Sequence, residues 1–305
     1  MRVSIIGQAA FGEAVLKRLL EDGVEVVAAS APEPQEGGRP DALWVAATET
    51  GLSPIDTAAL KADEGLEAWK AAGAELGVMA FVTEILPDEA LTAPAGGTIQ
   101  YHPSLLPLHR GSAAMNWPII FGKNETGLTI FWPDEGVDTG PLLLQKTCPI
   151  EADDTMGSLY FQKLFPMGVE AVSEAVALVQ ASEAPRIDQD HARSTYEPPC
   201  RDEHAQIRWH EPAQRVYDLI RGCNPQPGAW TTRKGERLGV FDCRLSLDEE
   251  PGMAGRVLRV DDEGFDVRLN GGALRVLRVQ PPGTRKVGAG EWAAETGLQE
   301  GARLR

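Results

Sequence analysis

The chain opens with a strand, a glycine turn and a helix, and this order constrains the fold more than any other feature. The run from Val3 to Ile6 has the composition of a buried strand, Gly7 begins the turn, and Leu16, Leu19 and Leu20 follow at helical spacing. A strand of this kind is covered by helices on both sides. The sequence therefore predicts an α/β fold with a Rossmann-like, mostly parallel sheet and helices on both faces.

The first turn has the spacing of a dinucleotide-binding turn but not its composition. Ala9 stands where a middle glycine would let the backbone approach a pyrophosphate. We therefore predict a structural turn and no dinucleotide cofactor. A small anion at the amino terminus of the following helix remains compatible with this turn.

Predicted strands and helices alternate along the chain up to about residue 206, after which short strands predominate. Strands are predicted at 24–30, 76–82, 98–101, 127–130 and 142–147, and helices at 41–50, 64–72, 112–121 and 155–180, the last interrupted near Pro166. Asp153 or Asp154 is expected to cap the last of these helices. A helix at 212–222 is then followed by short strands at 237–241, 255–260, 264–269 and 273–279, with a hairpin turn at Asn270-Gly271. We predict a Rossmann-like catalytic domain at 1–200 and a small carboxyl-terminal β-barrel domain at 206–305.

Charge and cysteine content narrow the class of protein. The chain carries 29 Lys and Arg against 45 Asp and Glu, a formal net charge of -16. Polyanion binding needs clustered cations that displace counterions, so a nucleic-acid partner is not expected. The four cysteines show neither metal-ligand spacing nor a dense disulfide framework. We find no secretory signal pattern and no apolar run of membrane-spanning length, so we expect a cytoplasmic protein without a metal site or a membrane partner.

Two polar stretches at predicted strand ends carry the candidate chemistry. The first, 100–111, places His102 at the carboxyl end of a strand that Pro103 terminates. The second, 131–140, holds three carboxylates within five residues, the last of which is Asp138. Ligands of open α/β sheets bind at the carboxyl ends of strands. His102 alone could be a capped strand end, but a carboxylate loop at a second strand end favours a proton-transferring pair.

These two stretches resemble the folate-dependent formyltransferase family. The shared motifs are Tyr101-His102-Pro103-Ser104-Leu105-Leu106-Pro107, His109-Arg110-Gly111, Asp138-Thr139-Gly140 and Pro227-Gly228-Ala229-Trp230. The resemblance is strongest to the hydrolase domains of 10-formyltetrahydrofolate dehydrogenases, and it extends to methionyl-tRNA formyltransferases. It implies that 10-formyltetrahydrofolate is the cofactor, as formyl donor, and that the carboxyl-terminal domain is OB-like.

The resemblance also implies catalytic roles for His102, Asp138 and Gln100. His102 would stabilise the tetrahedral oxyanion, and Asp138 would orient His102 or a water and accept a proton from the nucleophile. Gln100 shares a sheet face with His102 because side chains alternate along a strand, and its amide would donate to the formyl oxygen. The transferases of the family usually have Asn at the position of Gln100, so the longer side chain puts the oxyanion geometry in question.

The family pattern further implies a pterin pocket with walls from two loops. One wall consists of Glu84, Ile85 and Leu86, with Glu84 and Leu86 offering backbone groups to the ring. The other is a loop that closes mostly through backbone groups and consists of Asp134, Glu135, Gly136 and Val137.

Smaller expectations concern the turn after His102. The resemblance implies a cis peptide bond at Leu106-Pro107. Ser104 lacks the surroundings of a nucleophilic serine, so we expect its hydroxyl to satisfy a backbone group. Arg110 either binds an acidic acceptor or caps the turn. Trp117 and Trp132 are expected in the core.

Our first hypothesis is an enzyme that transfers the formyl group of 10-formyltetrahydrofolate to an acceptor or to water. The folate is then the small-molecule partner, and the acceptor could be an amine or a carrier protein with a phosphopantetheine arm. A methionyl-tRNA formyltransferase is the second hypothesis, although the acidic charge and the loop 32–40, with one Arg and two Glu, count against it. An amino-sugar formyltransferase and a non-catalytic folate-binding protein remain open. The sequence determines neither the acceptor nor the oligomeric state.

Overall fold

A seven-stranded sheet organises the amino-terminal part of the chain in the computed structural model, which describes residues 1–248 and 250–305. Its strands are β1 (Arg2–Gly7), β2 (Glu25–Ala31), β3 (Ile55–Asp56), β4 (Leu76–Ala80), β5 (Thr98–His102), β6 (Glu125–Phe131) and β7 (Leu142–Pro149), in the order β3-β2-β1-β4-β5-β6-β7. The strands from β3 to β5 run parallel, and β6 pairs antiparallel with β5. The prediction of a mostly parallel sheet is confirmed.

The α-helices occur between and after these strands. They are α1 (Ala9–Glu21), α2 (Ala42–Glu49), α3 (Asp63–Ala71), α4 (Asp88–Thr92), α5 (Asn116–Ile120), α6 (Met156–Leu159), α7 (Phe165–Gln180), α8 (Ala213–Gly222) and α9 (Ala289–Thr296). Among the described residues, no helix combines the length and apolar character needed to span a membrane.

Alternation along the strands places apolar side chains on both faces of the sheet. Val3 and Ile5 of β1 join one buried cluster with residues of α1, α2 and α7, whereas Ile6 joins another with Trp69 of α3. In β4, Val78 belongs to the first cluster and Met79 to the second. Helices therefore cover both faces, as predicted, because neither face of these strands is polar.

Close helix contact on the first face fixes the strand that precedes the site. Phe11 of α1 packs against Tyr101 of β5, with 4.4 Å between ring centroids. A Cβ at Gly168 of α7 would lie 2.7 Å from the Tyr101 ring and 2.9 Å from the Phe11 ring. Only glycine allows α7 to approach this closely, so the residue next to His102 is held on two sides.

The chain divides into two compact units. The first comprises Met1–Ser112, Gly127–Cys148 and Gln162–Tyr196, and the second comprises Ala113–Thr126, Pro149–Phe161 and Glu197–Arg305. The simpler division at 1–200 and 206–305 stays a prediction.

The second unit is rich in antiparallel strands. They are β8 (Ala229–Arg233), β9 (Glu236–Val240), β10 (Cys243–Leu247), β11 (Val257–Val260), β12 (Phe265–Leu269), β13 (Gly272–Val276), β14 (Arg278–Gln280) and β15 (Val287–Gly288). The predicted barrel takes the form of two four-stranded sheets, β10-β13-β12-β11 and β15-β14-β9-β8. The predicted turn at Asn270-Gly271 joins β12 to β13, and Gly271 has a φ of 87° that favours glycine.

Three local predictions need correction. The helix expected at 112–121 begins only at Asn116, which keeps Pro118 in the first turn, where its missing N–H is tolerated. The region 155–180 is divided by a π-helical turn at Tyr160–Leu164, and Pro166 lies in the first turn of α7. The residue that caps α6 is Thr155, whose hydroxyl accepts from the Ser158 N–H, and not Asp153 or Asp154.

Candidate active site

His102 ends β5 and is nearly buried, with 5% of its surface exposed. Its Nε2 lies 3.0 Å from the carbonyl oxygen of His109. Because a carbonyl only accepts hydrogen bonds, Nε2 carries the hydrogen in this arrangement. Nδ1 then faces a carboxylate oxygen, Oδ2 of Asp138, at 3.6 Å. A proton on Nδ1 would make this contact a charge-assisted pair.

Asp138, the carboxylate that faces His102, is also buried, with 7% of its surface exposed. Its Oδ2 accepts a hydrogen bond from the Gly111 N–H at 2.7 Å. The same oxygen thus faces both the His102 ring and the turn that follows it. The backbone of Asp138 is left-handed, with a φ of 56°, a conformation that non-glycine residues rarely adopt.

The turn after His102 is fixed by side-chain hydrogen bonds to its backbone. Ser104 is fully buried and donates to the Leu108 carbonyl at 2.7 Å, as predicted for a structural serine. Thr129 of β6 donates to the Ser104 carbonyl at 2.7 Å, and Gln145 of β7 donates to the Leu106 carbonyl at 2.8 Å. The Leu106-Pro107 peptide is cis, as predicted. Trp117 and Trp132 are buried, also as predicted.

The loop that carries Asp138 is ordered by its own polar residues. Oδ1 of Asp134 accepts from the Gly136 N–H at 3.1 Å and from the Thr139 hydroxyl at 2.5 Å. A Cβ on Gly140 would lie 1.8 Å from the Trp132 carbonyl oxygen. The glycine of the Asp-Thr-Gly motif is therefore required by space.

The residues predicted for the folate pocket lie on two loops at strand ends. After β4, Glu84 pairs with Lys61 at 2.6 Å, Ile85 is 81% exposed, and Leu86 is buried in the second cluster. Gln100 is half-buried and lies two residues before His102, on the opposite side of β5 from the buried Ile99 and Tyr101. Asp134, Glu135, Gly136 and Val137 are exposed.

The first turn of the chain differs from a phosphate-binding turn. The N–H of Ala9, at the start of α1, donates to Oδ2 of Asp41 at 2.7 Å. The other oxygen of Asp41 accepts from the Leu43 N–H at 2.8 Å and so caps α2. The anion at the start of α1 is thus a carboxylate of the protein itself. Among the described residues, no cluster of three His, Cys, Asp or Glu side chains could hold a metal ion.

The segment 187–196, whose sequence has no helical or strand periodicity and carries no predicted role, also contacts the site. We name this segment the strap. Gln189 is buried, and its amide donates to the carbonyl oxygens of Asp138 and Gly140 at 3.0 and 2.7 Å. Tyr196 donates from its hydroxyl to the Val137 carbonyl at 3.1 Å. No sequence signal marks these contacts, because side chains of an irregular segment make them to backbone groups.

The strap also determines the surroundings of Arg110. This side chain is 5% exposed and donates from one terminal nitrogen to Oε1 of Gln189 at 2.7 Å, and the same nitrogen lies 3.1 Å from Nδ1 of His191. Arg110 therefore holds the strap. Partial burial, followed by the charge of Asp138, raises the pKa of the Tyr196 phenol, so it remains a hydrogen-bond donor near neutral pH.

The fold is shared with solved structures of low sequence identity. HypX from Aquifex aeolicus in complex with tetrahydrofolic acid superposes with a TM-score of 0.73 over 98% of this chain and 48% of that one, at 19% identity. The N-formyltransferase from Helicobacter canadensis, solved with folinic acid and dTDP-3-aminofucose, gives a TM-score of 0.70 over 90% of this chain and 98% of that one, at 17% identity. At these identities, the likeness is one of fold.

Sequence comparison gives the family. Residues 1–176 match the formyl transferase family, and residues 200–297 match its carboxyl-terminal domain. The chain belongs to the formyl transferase family.

Two curated relatives differ in how much of their length is shared. Cytosolic 10-formyltetrahydrofolate dehydrogenase of Mus musculus is 40% identical over 81% of this chain, which spans only 28% of that protein. Methionyl-tRNA formyltransferase of Moorella thermoacetica is 37% identical over 93% of both chains.

Proposed function

We propose that this protein uses 10-formyltetrahydrofolate as formyl donor and transfers the formyl group to an acceptor or to water, releasing tetrahydrofolate. The observation that carries the proposal is the buried pair of His102 and Asp138, with 3.6 Å between Nδ1 and Oδ2, at the carboxyl end of β5. A histidine and a carboxylate that are both almost fully buried can exchange protons with a substrate bound beside them. The 40% identity to cytosolic 10-formyltetrahydrofolate dehydrogenase of Mus musculus supports the folate as donor.

The reaction begins with attack of an amine or a water on the formyl carbon. The carbonyl oxygen becomes an oxyanion, which the positive charge of protonated His102 stabilises and toward which the Gln100 amide donates. Asp138 accepts the proton of the nucleophile. Collapse of the tetrahedral species breaks the bond to N10, and the proton that Asp138 accepted passes through His102 to N10 of the leaving tetrahydrofolate.

The folate is proposed to bind between the two loops of the predicted pocket. Backbone groups of Glu84 and Leu86 would contact the pterin from one side, with Ile85 between them. Backbone groups of the loop Asp134-Glu135-Gly136-Val137 would contact it from the other. Exposed apolar side chains at Ile85 and Val137, the former at 81%, support a ligand that covers them.

The decisive experiment measures tetrahydrofolate release from 10-formyltetrahydrofolate with water alone, with small amines and with a phosphopantetheine-bearing carrier protein. We expect release that saturates with the folate, and an increase with the true acceptor. Tight folate binding without release under any condition would contradict the proposal and favour a non-catalytic folate-binding protein.

A second candidate function, methionyl-tRNA formylation, is favoured by one observation. The similarity to the Moorella thermoacetica transferase covers 93% of both chains, so it includes the second unit as well as the first. The net charge of -16 disfavours it. Transfer to charged initiator tRNA decides between the two functions.

A further inference from the structure

Two non-glycine residues at the candidate catalytic site have left-handed backbones. His109 has a φ of 55° and Asp138 a φ of 56°. The carbonyl of His109 contacts Nε2 of His102, and the carboxylate of Asp138 faces Nδ1. Residues in this conformation persist only where their surroundings hold them, and such residues concentrate at functional sites. The orientation of the catalytic pair thus depends on whatever holds these two peptides.

The strap, residues 187–196, holds both of them. On the side of the turn, the Thr195 hydroxyl accepts from the His109 N–H at 2.8 Å, and the Thr195 carbonyl accepts from the Arg110 N–H at 3.1 Å. On the side of the loop, the Gln189 amide donates to the Asp138 carbonyl at 3.0 Å, and the Tyr196 hydroxyl donates to the Val137 carbonyl at 3.1 Å. Both carbonyls next to the left-handed φ of Asp138 are therefore bound by strap side chains.

The strap is itself fixed at its beginning and in its middle. Ile187 exchanges two backbone hydrogen bonds with Leu142, just after the Asp-Thr-Gly motif, at 2.7 and 3.0 Å. Arg110 binds the acceptor oxygen of Gln189 at 2.7 Å. The Gln189 amide nitrogen therefore points to the Asp138 and Gly140 carbonyls, and the orientation of this side-chain amide is fixed.

We propose that Tyr196 and Gln189 are positioning residues, which hold the Asp138 carboxylate against His102 during formyl transfer. This inference rests on the proposed function and adds specific residues to it. Tyr196 contributes one hydroxyl that reaches a carbonyl while 57% of the residue stays exposed. Its removal therefore changes the position of Asp138 without opening the core.

The first test is the variant Tyr196→Phe. We expect kcat to fall about tenfold while KM for the folate changes less than twofold, because a displacement of the reacting groups by 1 Å can cost up to about 10²-fold in rate. The matched control is Tyr217→Phe in the second unit, which loses a hydroxyl that donates to Oδ1 of Asp153 at 2.7 Å. The control should keep its kcat within twofold.

A second variant, Gln189→Glu, keeps the size of the side chain and the acceptor for Arg110 but replaces the donor that faces two carbonyls. We expect a decrease in kcat at least as large as that of Tyr196→Phe. Thermal unfolding of each variant reports on folding. A positioning role also requires non-additivity: in the background Asp138→Ala, the substitution Tyr196→Phe should change the residual rate less than twofold.

A readout without catalysis separates this inference from the proposed function. The Gly111 N–H donates to Oδ2 of Asp138, so its hydrogen exchange reports the position of the carboxylate. We expect faster exchange at Gly111 in Tyr196→Phe and Gln189→Glu than in the wild type, with no change in Tyr217→Phe. If the wild type releases no tetrahydrofolate but this exchange pattern holds, only the proposed function falls.

Two results would overturn the positioning role. One is unchanged Gly111 exchange in both strap variants. The other is a kcat of Tyr196→Phe equal to that of Tyr217→Phe in an active wild type.

Discussion

The contacts of His102 assign its two nitrogens different partners. Nε2 is bound by a backbone carbonyl, which cannot donate, and Nδ1 faces a carboxylate. Protonation of Nδ1 therefore strengthens an existing contact and needs no movement of the ring. The loop after β6 brings Asp138 back to His102, with 3.6 Å between Oδ2 and Nδ1, although β6 runs antiparallel to β5 and the carboxyl ends of the two strands therefore lie at opposite edges of the sheet. The sequence predicted the pair from two strand ends but not this return of the loop. It could not predict the tautomer, which depends on the His109 carbonyl.

Substitution of either member of the pair should abolish most of the activity. We expect His102→Ala and Asp138→Ala each to lower kcat by on the order of 10²–10⁴, the usual effect of a positioned acid or base. Folate affinity should remain largely intact, because the predicted pterin contacts are made by other residues. Steady-state kinetics and equilibrium folate binding measure the two quantities. Near-normal turnover in either variant would contradict the catalytic assignment.

At the scale of elements, the sequence predicts secondary structure best where apolar periodicity is strong. It predicts secondary structure least well where a proline or side-chain hydrogen bonds to the backbone determine the conformation. The strands β1, β2, β4 and β5 follow from their apolar runs. The late start of α5 follows from Pro118, which a periodicity argument ignores. The strap has no periodicity, and its structure comes from hydrogen bonds that Gln189, Thr195 and Tyr196 make to distant backbone groups.

The loop that carries Asp138 should be sensitive to one methyl group. A Cβ on Gly140 would lie 1.8 Å from the Trp132 carbonyl oxygen and 3.2 Å from the Asp134 nitrogen, so Gly140→Ala must displace the loop. Overpacking of this kind costs about 1–3 kcal/mol. We expect a lower unfolding midpoint and at least a tenfold decrease in kcat.

The control for this loop is Gly288→Ala, where the nearest heavy atom to the added Cβ lies at 3.9 Å. This variant should retain wild-type kcat. Full activity of Gly140→Ala would show that the loop geometry does not determine catalysis.

The stability of the second unit in acid should depend on the ion pair between Asp261, which follows β11, and Arg275. Asp261 accepts hydrogen bonds from Arg275 and from the N–H groups of Glu263 and Gly264. Above all, the Arg275 contact lowers the pKa of Asp261 from 3.8 to about 2. A carboxyl with a lowered pKa stabilises the folded state above its unfolded pKa, and this contribution is lost as the pH falls through the folded value.

The substitution Asp261→Asn should therefore destabilise the second unit at pH 6 and progressively less between pH 4 and pH 2. Denaturant unfolding at several pH values measures the difference from the wild type. Asp262→Asn, which removes an exposed charge at the next position, is the control and should show a smaller difference at pH 6. A difference for Asp261→Asn that is independent of pH would contradict the ion-pair explanation.

At the scale of the whole molecule, charge decides between acceptors. Five arginines on or next to the strands of the second unit could form a phosphate-binding face: Arg256, Arg259, Arg268, Arg275 and Arg278. Arg259 and Arg275 both contact Asp261, Arg268 is buried against Asp248, and Arg278 lies 3.6 Å from Asp242. Cations that carboxylates already neutralise release few counterions from a nucleic acid.

Transfer RNA should therefore bind weakly, with a shallow salt dependence. Each phosphate contact contributes about 0.7–0.9 to the slope of log affinity against log salt, so we expect a slope well below that of a protein with six or more contacts. Binding of charged initiator tRNA between 50 mM and 200 mM salt, with uncharged tRNA as control, measures this slope, and formylation at physiological salt measures function. A steep slope, specific for the charged tRNA and accompanied by efficient saturable transfer, would establish tRNA as the acceptor. A shallow slope with tetrahydrofolate release to water or a small amine would exclude tRNA as the acceptor, in keeping with the carboxylate partners of four of these five arginines.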